Sequence, residues 1–560
     1  MIALGLLIVA LCAIGTGYLL LSVLLGQRRA DDPDLVTLGD AGLAGLWLMA
    51  ISGALLHLFL PLGGWTTMLL PAAGAAGLWV HRQRVRNAVE GLWQDRVAVF
   101  AGALVLAAAV LTMRFKGAGF YDTGLYHLQQ LLMQADGPII LGAANIHMRF
   151  GYNSFLYVIS GMAYLPGFGL SSALTINPIL LVFVVLALVQ HGRAAPATRL
   201  PAIAGWLVLG LGILAFARGW VASPLSDIAA ALLVAYASFM TLRLLMSPAA
   251  SATKAVLFVL ITLSSALAVA VKLSALPVLG MILVAGIAVQ NGRARWSRPV
   301  IGSLAAATLL GLVWAGRGVL LSGCLGYPAA ATCLPLPWTI PTAVAEADLA
   351  AMKHYARIPG GSPDLSSEGW VWLSGWLDNA MPWILVLPLV LGLLAALGRR
   401  HGWRMNATAA PVSAANRGLV MALLGVLCGG VLFWFLSAPL WRYGFCFLIP
   451  LLAIAAGLLS PVADGRRGRV LTPRRWVSPV VPLVLLIIGE GVGMAGLGKS
   501  WPVARQNPIV PVQSRHGTTM FQPQGDDRCW AAPRPCSPML DPHLRLTRIA
   551  LWTAAIHDPS

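Results

Sequence analysis

Uncharged apolar runs of about 20 residues recur along this chain, and that is the length a helix needs to cross a bilayer. The first, from Ile2 to Leu25, carries no charge and is followed by Arg28 and Arg29. Of the 560 residues, 58% are hydrophobic and 10% are charged, whereas a soluble protein carries roughly a quarter charged residues. In water so much apolar surface would leave large exposed patches, while a bilayer accepts it. The expected fold class is therefore all-α: a polytopic transmembrane helix bundle of about 14 spans (roughly 12–14). The runs lie near 2–25, 39–60, 65–80, 96–114, 171–190, 200–217, 225–245, 254–271, 274–290, 299–321, 379–398, 418–437, 443–461 and 477–496. Residues 1–496 form the membrane domain, with long loops at 115–170 and 322–378, and residues 497–560 form a separate C-terminal segment.

Charge gives the expected sidedness. The formal net charge of +18 is spread in short clusters between apolar runs, which excludes a nucleic-acid patch and fits the positive-inside rule. If the N-terminus is outside and the runs alternate, the inner connections hold Arg28 and Arg29; Arg82, Arg84, Arg86 and Arg96; Arg193 and Arg199; and Arg243 and Lys254. Farther along they hold Arg293, Arg295 and Arg298; Arg399, Arg400, Arg404 and Arg417; and Arg466, Arg467, Arg469, Arg474 and Arg475. Every inner connection carries at least two Lys or Arg, and both termini fall outside. Nothing basic precedes the first run, so it reads as a retained helix rather than a cleaved leader.

The chain has 7 cysteines. Cys12, Cys428 and Cys446 fall in apolar runs, where a thiol behaves as a small hydrophobe. Cys324 with Cys333, and Cys529 with Cys536, form two close pairs in segments already placed outside. Disulfides persist in oxidising compartments, so both pairs are expected to be bonded. The alternatives are unpaired thiols or a metal site, although four-cysteine zinc sites use tighter C-x₂₋₄-C spacing.

The first outer loop is the richest in chemistry. Thr123 to Met133 can form a short amphipathic helix. Asp122 at its start is either a helix cap or a general base at the membrane surface. Tyr121, His127, Gln129, Asn145, His147, Arg149 and Asn153 surround it in sequence, a density of polar groups that suits a binding surface. His127 and His147 are also a possible metal pair, and a divalent cation is the one cofactor the sequence leaves open. Asp227 opens the run near 225–245 as a cap or a cation partner. Lys272 interrupts the otherwise uncharged stretch Ala255 to Gln290. An ionisable group there is a functional candidate by default, and its bland alternative is a turn residue that snorkels. Arg317 and Arg442 sit at outer helix ends, and together with Lys272 they could hold a phosphate by charge-assisted hydrogen bonds. Loop 322–378 is rich in tryptophan, including Trp338, Trp370, Trp372 and Trp376, suited to the interface or to stacking on sugars. Glu490 is an isolated acid without an evident role. The sequence lacks a Walker A motif, an H-E-x-x-H motif and a G-x-S-x-G motif with triad context.

The stretch Tyr121-Asp-Thr-Gly-Leu-Tyr-His-Leu-Gln129 resembles a family of uncharacterised polytopic bacterial membrane proteins. The likeness continues through Asn145 to Ser154, Lys272-Leu-Ser274, Ser322 to Pro328, and Cys529-Trp-Ala-Ala-Pro-Arg-Pro-Cys536. More distantly, the layout resembles the GT-C class of membrane glycosyltransferases, in which a helix bundle carries a large first outer loop with an acidic residue. That resemblance implies residence in the cell (inner) membrane, a polyprenyl-phosphate sugar donor, a saccharide or lipid acceptor, membrane lipids as surroundings, and Asp122 as catalytic base. A polysaccharide polymerase or ligase, and a transporter or flippase of lipid-linked saccharides, are the other expectations. A transporter requires a polar path reaching the inner face.

Overall fold

A helix satisfies its backbone hydrogen bonds within itself, and in lipid each unsatisfied N–H or C=O costs several kcal/mol. The apolar runs accordingly form helices in the computed structural model, which describes residues 1–26, 35–116, 119–196, 198–216, 219–246, 251–290, 296–358, 361, 365–378, 414–459 and 507–559. Among the described residues, 10 helices are long and apolar enough to span a membrane. They include Ile2–Leu25, Leu38–Leu56, Ser226–Met246, Ala252–Val271, Arg298–Ser322 and Trp441–Leu458. Leu200–Phe216 is apolar but shorter. The expected runs 379–398 and 477–496, and Glu490, lie outside the described residues.

The run 65–80 departs from a simple span. It begins as the 3₁₀ turn Gly64–Met68, and only Leu69–Val80, 12 residues, is α-helical. Such a helix is about 18 Å long, short of the ~30 Å hydrocarbon core by itself. The basic connection after it forms a polar helix, Arg82–Gln94, that the hydropathy did not indicate.

Small residues set the closest packing. A Cβ on Gly17 would meet the Ala41 carbonyl oxygen at 1.7 Å, and one on Gly45 would meet that of Ala13 at 1.8 Å. The first two spanning helices thus touch backbone to backbone, as lipid-embedded helices do where small residues face each other.

The segment after the bundle contains β-structure, an addition to the helical expectation. Ile509–Gln513 pairs antiparallel with Thr519–Pro523, and Leu544–Ile549 pairs antiparallel with Trp552–His557. An isolated two-stranded hairpin is marginal in water, and both of these gain outside support. Leu141 of the first loop bridges to Ala554, and the Cys536 backbone bridges to Phe521. The Trp552 indole donates to the Leu58 carbonyl at 2.6 Å. The hairpins therefore rest on the first long loop and on the adjoining end of the bundle. A Cβ on Gly5 would lie 3.3 Å from Phe168 and Ser172, so the chain's first helix also begins at this end. Both cysteine pairs form disulfides, Cys324–Cys333 and Cys529–Cys536.

Candidate functional site

Five charged side chains from distant parts of the sequence meet at the end of the bundle that carries the first long loop. Asp122 immediately precedes a π-helical turn, Thr123–His127, and makes no side-chain cap to it. Its carboxylate instead accepts from Arg442 Nη2 at 2.8 Å and lies 3.9 Å from Arg149 Nη1. Asp227, in the first turn of Ser226–Met246, is ion-paired with Lys272 and lies 3.4 Å from Arg442 Nε. Arg442 therefore bridges both carboxylates. Aromatic rings fix the cations from their open sides. Lys272 Nζ stands 3.8 Å over the Tyr443 ring, Arg442 lies 4.9 Å over Phe120, and Arg149 lies 5.6 Å over Tyr126. Such contacts strengthen as the cation loses water. Three cations against two carboxylates leave one net positive charge in a largely buried setting.

The π-turn widens the helix by one residue per turn, a feature common at functional sites. It carries His127 into the interior beside the cluster. Burial, the largest effect, pushes the His127 imidazole down to about 3, against the opposing pull of Asp122. The ring is therefore neutral at ordinary pH. Tyr126 packs against it edge-on at 4.3 Å and Tyr157 lies at 5.3 Å. Its Nδ1 has no hydrogen-bond partner among the described residues.

Other residues expected at a binding surface serve as joints, because the first loop is covered rather than open. Gln129 Nε2 donates to the carbonyls of Trp530 and Ala532 at 3.1 and 3.0 Å. Asn145 Nδ2 donates to those of Trp338 and Ala555 at 3.0 and 2.9 Å. Tyr121 bonds Asp527, and Arg534 pairs with Asp136. Asn153 donates to the Trp314 carbonyl and accepts from the Trp314 indole at 2.8 Å. His147 Nδ1 accepts from the Arg149 backbone N–H at 3.0 Å, capping a short turn. Burial pushes His147, too, down to about 3. Gly124 is needed for the cover to seat, since a Cβ there would lie 2.6 Å from the Trp530 ring. Among the described residues, no group of three or more His, Cys, Asp and Glu could hold a metal ion.

Arg317 does not join the other two expected phosphate-binding cations. It lines a separate cavity with His57, Gln130 and Gln134. A residue that the sequence did not single out supports the site from behind. Asp348, in the helix Thr342–Arg357, accepts from Tyr327 at 2.9 Å and from Tyr152 at 3.1 Å. Burial raises its carboxyl, and the two hydroxyls and Arg149 oppose that shift. The tryptophans of the second long loop largely pack on one another: Trp376 stacks on Trp441 at 5.1 Å, next in sequence to Arg442, while Trp370 remains exposed.

The opposite end of the bundle holds a second buried polar cluster. Asp40 accepts from Tyr236 at 2.6 Å, lies 2.7 Å from His191 Nε2, and closes a capping box with Thr37. Arg243 contacts the other side of His191.

The family described as "Domain of unknown function (DUF8201)" matches residues 1–449. That range takes in all five charged residues of the cluster, whereas the C-terminal hairpins that pack on the first loop lie beyond it. No curated protein and no solved structure matches the chain.

Proposed function

We propose that this chain, which belongs to the family described as "Domain of unknown function (DUF8201)", is a membrane glycosyltransferase-like enzyme. It transfers a sugar from a polyprenyl-phosphate donor to a saccharide or lipid acceptor at the non-cytoplasmic face. The observation that carries this reading is the convergence of Asp122, Arg149, Asp227, Lys272 and Arg442 at one end of the bundle. Asp122 takes the proton of an acceptor hydroxyl as that oxygen attacks the anomeric carbon. The bond between that carbon and the phosphate oxygen breaks, and the lipid phosphate leaves with the bonding pair. Lys272 and Arg442 receive its charge, and the net positive cluster favours an anionic ligand of this kind. Because Arg442 already binds Asp122, a phosphate that takes over Arg442 releases the carboxylate to act as base. Donor binding and base activation are thereby coupled. A single displacement of this type inverts the anomeric centre.

The finer topology belongs to the same reading: about 14 spans, residence in the inner membrane, and both termini outside the cytoplasm. The Lys and Arg present in every inner connection support it, as do the first helix start and the C-terminal hairpins lying at one end of the bundle.

The buried Asp40–His191–Arg243 cluster favours a second reading, a transporter or flippase of lipid-linked saccharides. The helix Ser226–Met246 reaches toward both clusters, yet Ile228 to Ala235 between them is apolar and buried, which supports the enzyme over a continuous polar path. The test is mass spectrometry of envelope glycans and lipid-linked sugars in cells carrying Asp122→Asn. The enzyme predicts a lost glycan feature and accumulated donor even when the variant is expressed to the wild-type level in the membrane. Unchanged glycans remove Asp122 as the base.

A further inference from the structure

Arg317 presents a different problem from the cations of the cluster. Its side chain is 4% exposed, and its Nε and Nη1 have no hydrogen-bond partner among the described residues. A guanidinium stays protonated in proteins, and leaving a buried charge uncompensated is strongly destabilising. It faces a cavity of about 20 Å³ lined by His57, Gln130, Gln134 and the apolar side chains of Met133, Phe150 and Leu321, among others. No carboxylate lines it. The polar groups around it are also undersatisfied: both amide atoms of Gln134 and the amide oxygen of Gln130 are buried without hydrogen-bond partners among the described residues, while the His57 ring lies against the Gly137 backbone. His57 and Gln134 are each 3% exposed.

The lining offers donors, the guanidinium and the Gln134 amide N–H, beside the neutral acceptors Gln130 Oε1 and Gln134 Oε1, and what it lacks is a negative charge to balance Arg317. The cavity has room for about one small ion or one water, too little for a whole phosphate. We propose that Arg317 and Gln134, with His57 lining the same cavity, form a binding site for a monovalent halide-sized anion such as chloride, which neutralises Arg317 inside the protein. The site is structural and lies apart from the cluster of Asp122 and Arg442. The Gly142 N–H donates to the carbonyl of Leu320, three residues after Arg317, at 2.8 Å. Filling the cavity therefore braces the junction of the Arg298–Ser322 helix with the first loop.

The test uses the purified full chain in lipid nanodiscs, with radiolabelled chloride binding and thermal unfolding in chloride or gluconate at equal ionic strength. The proposal predicts saturable chloride binding, competition by bromide, and a Tm that rises saturably in chloride but not in gluconate. Arg317→Gln should lose the binding and flatten the chloride dependence. If Arg317→Gln does not fold, Gln134→Leu replaces it, with weakened chloride binding as the expected result. Absence of saturable binding to the wild-type chain, with identical unfolding in chloride and gluconate, overturns the proposal and leaves water as the occupant. Saturable binding by wild type that is retained in Arg317→Gln or Gln134→Leu overturns this assignment of the site.

Discussion

Arg442 is the keystone of the charged cluster, and the structure specifies how its removal should propagate. Its separations are 2.8 Å to Asp122 and 3.4 Å to Asp227, while Arg149 stands 3.9 Å from Asp122. With an effective dielectric constant of about 20, the gross attractions are about 6, 5 and 4 kcal/mol respectively. Desolvation offsets much of this, and close charge pairs measured by double-mutant cycles couple by about 1.5–7 kcal/mol. The side chains of Arg442 and Asp122 are 16% and 11% exposed, so solvent screening is modest. Arg442→Met keeps apolar bulk against Phe120 and removes the charge. The variant should lose about 3 kcal/mol, since it leaves Asp122 with only its more distant guanidinium. Asp122→Asn alone leaves excess positive charge and should also destabilise. The double variant should be no worse than the worse single, giving a coupling of about 2 kcal/mol. The same cycle run with Asp227→Asn should give a smaller coupling, because Lys272 still holds Asp227. Reversible denaturant unfolding of the reconstituted protein measures all three terms. Additivity within about 0.5 kcal/mol for Asp122 and Arg442 would refute the bridging geometry.

Two further outcomes follow from features of the first loop. Trp530→Ala should loosen the cover over Gly124 and cost about 3–5 kcal/mol as a buried large-to-small change, read as faster protease cleavage between residues 507 and 559; unchanged cleavage kinetics would contradict the docking. His127 and His147 both titrate in the folded chain near about 3, below the ordinary histidine value of 6.5. The unfolded chain binds those protons first, so their stability contribution is present above about pH 6.5 and is lost as pH falls from there toward 3, by about 1.4 kcal/mol per pH unit for each ring. A His127→Asn/His147→Asn double variant should flatten the acid limb of a stability–pH curve, and an unaltered slope would show the rings to be solvated.

The charged members of the site were legible because charge is scarce in this chain. Lys272, Asp227 and Arg442 stand out against apolar neighbours, and such residues are retained in a membrane only where something pairs with them. What the sequence hid was azimuth and distance. Arg317 lies near the end of one helix and Arg442 at the start of another, yet Arg317 faces a separate cavity, and hydropathy carries no information about which way a helix is turned. Tyr121, Gln129 and Asn145 read as an open surface because their partners lie far along the chain: Gln129 and Trp530 are 401 positions apart, and Asn145 and Ala555 are 410 apart. The hairpin Leu544–Ile549 with Trp552–His557 had a visible signal, the alternation of Leu544 and Leu546 with Arg545 and Thr547, but its support from Leu141 had none. Asp348 was masked by the tryptophan-rich composition around it, although its helix spaces polar and apolar residues at helical period.

The span between Gln129 and Trp530 also dictates a schedule. During synthesis the first loop emerges early, and its buried amides stay without their carbonyl partners until the C-terminal residues reach the same side of the bilayer. Loop closure over so long a chain is slow to recover its entropy cost. The first loop therefore gains these hydrogen bonds only once the C-terminal segment has reached the same face, so this pairing is a late step of assembly rather than an early one.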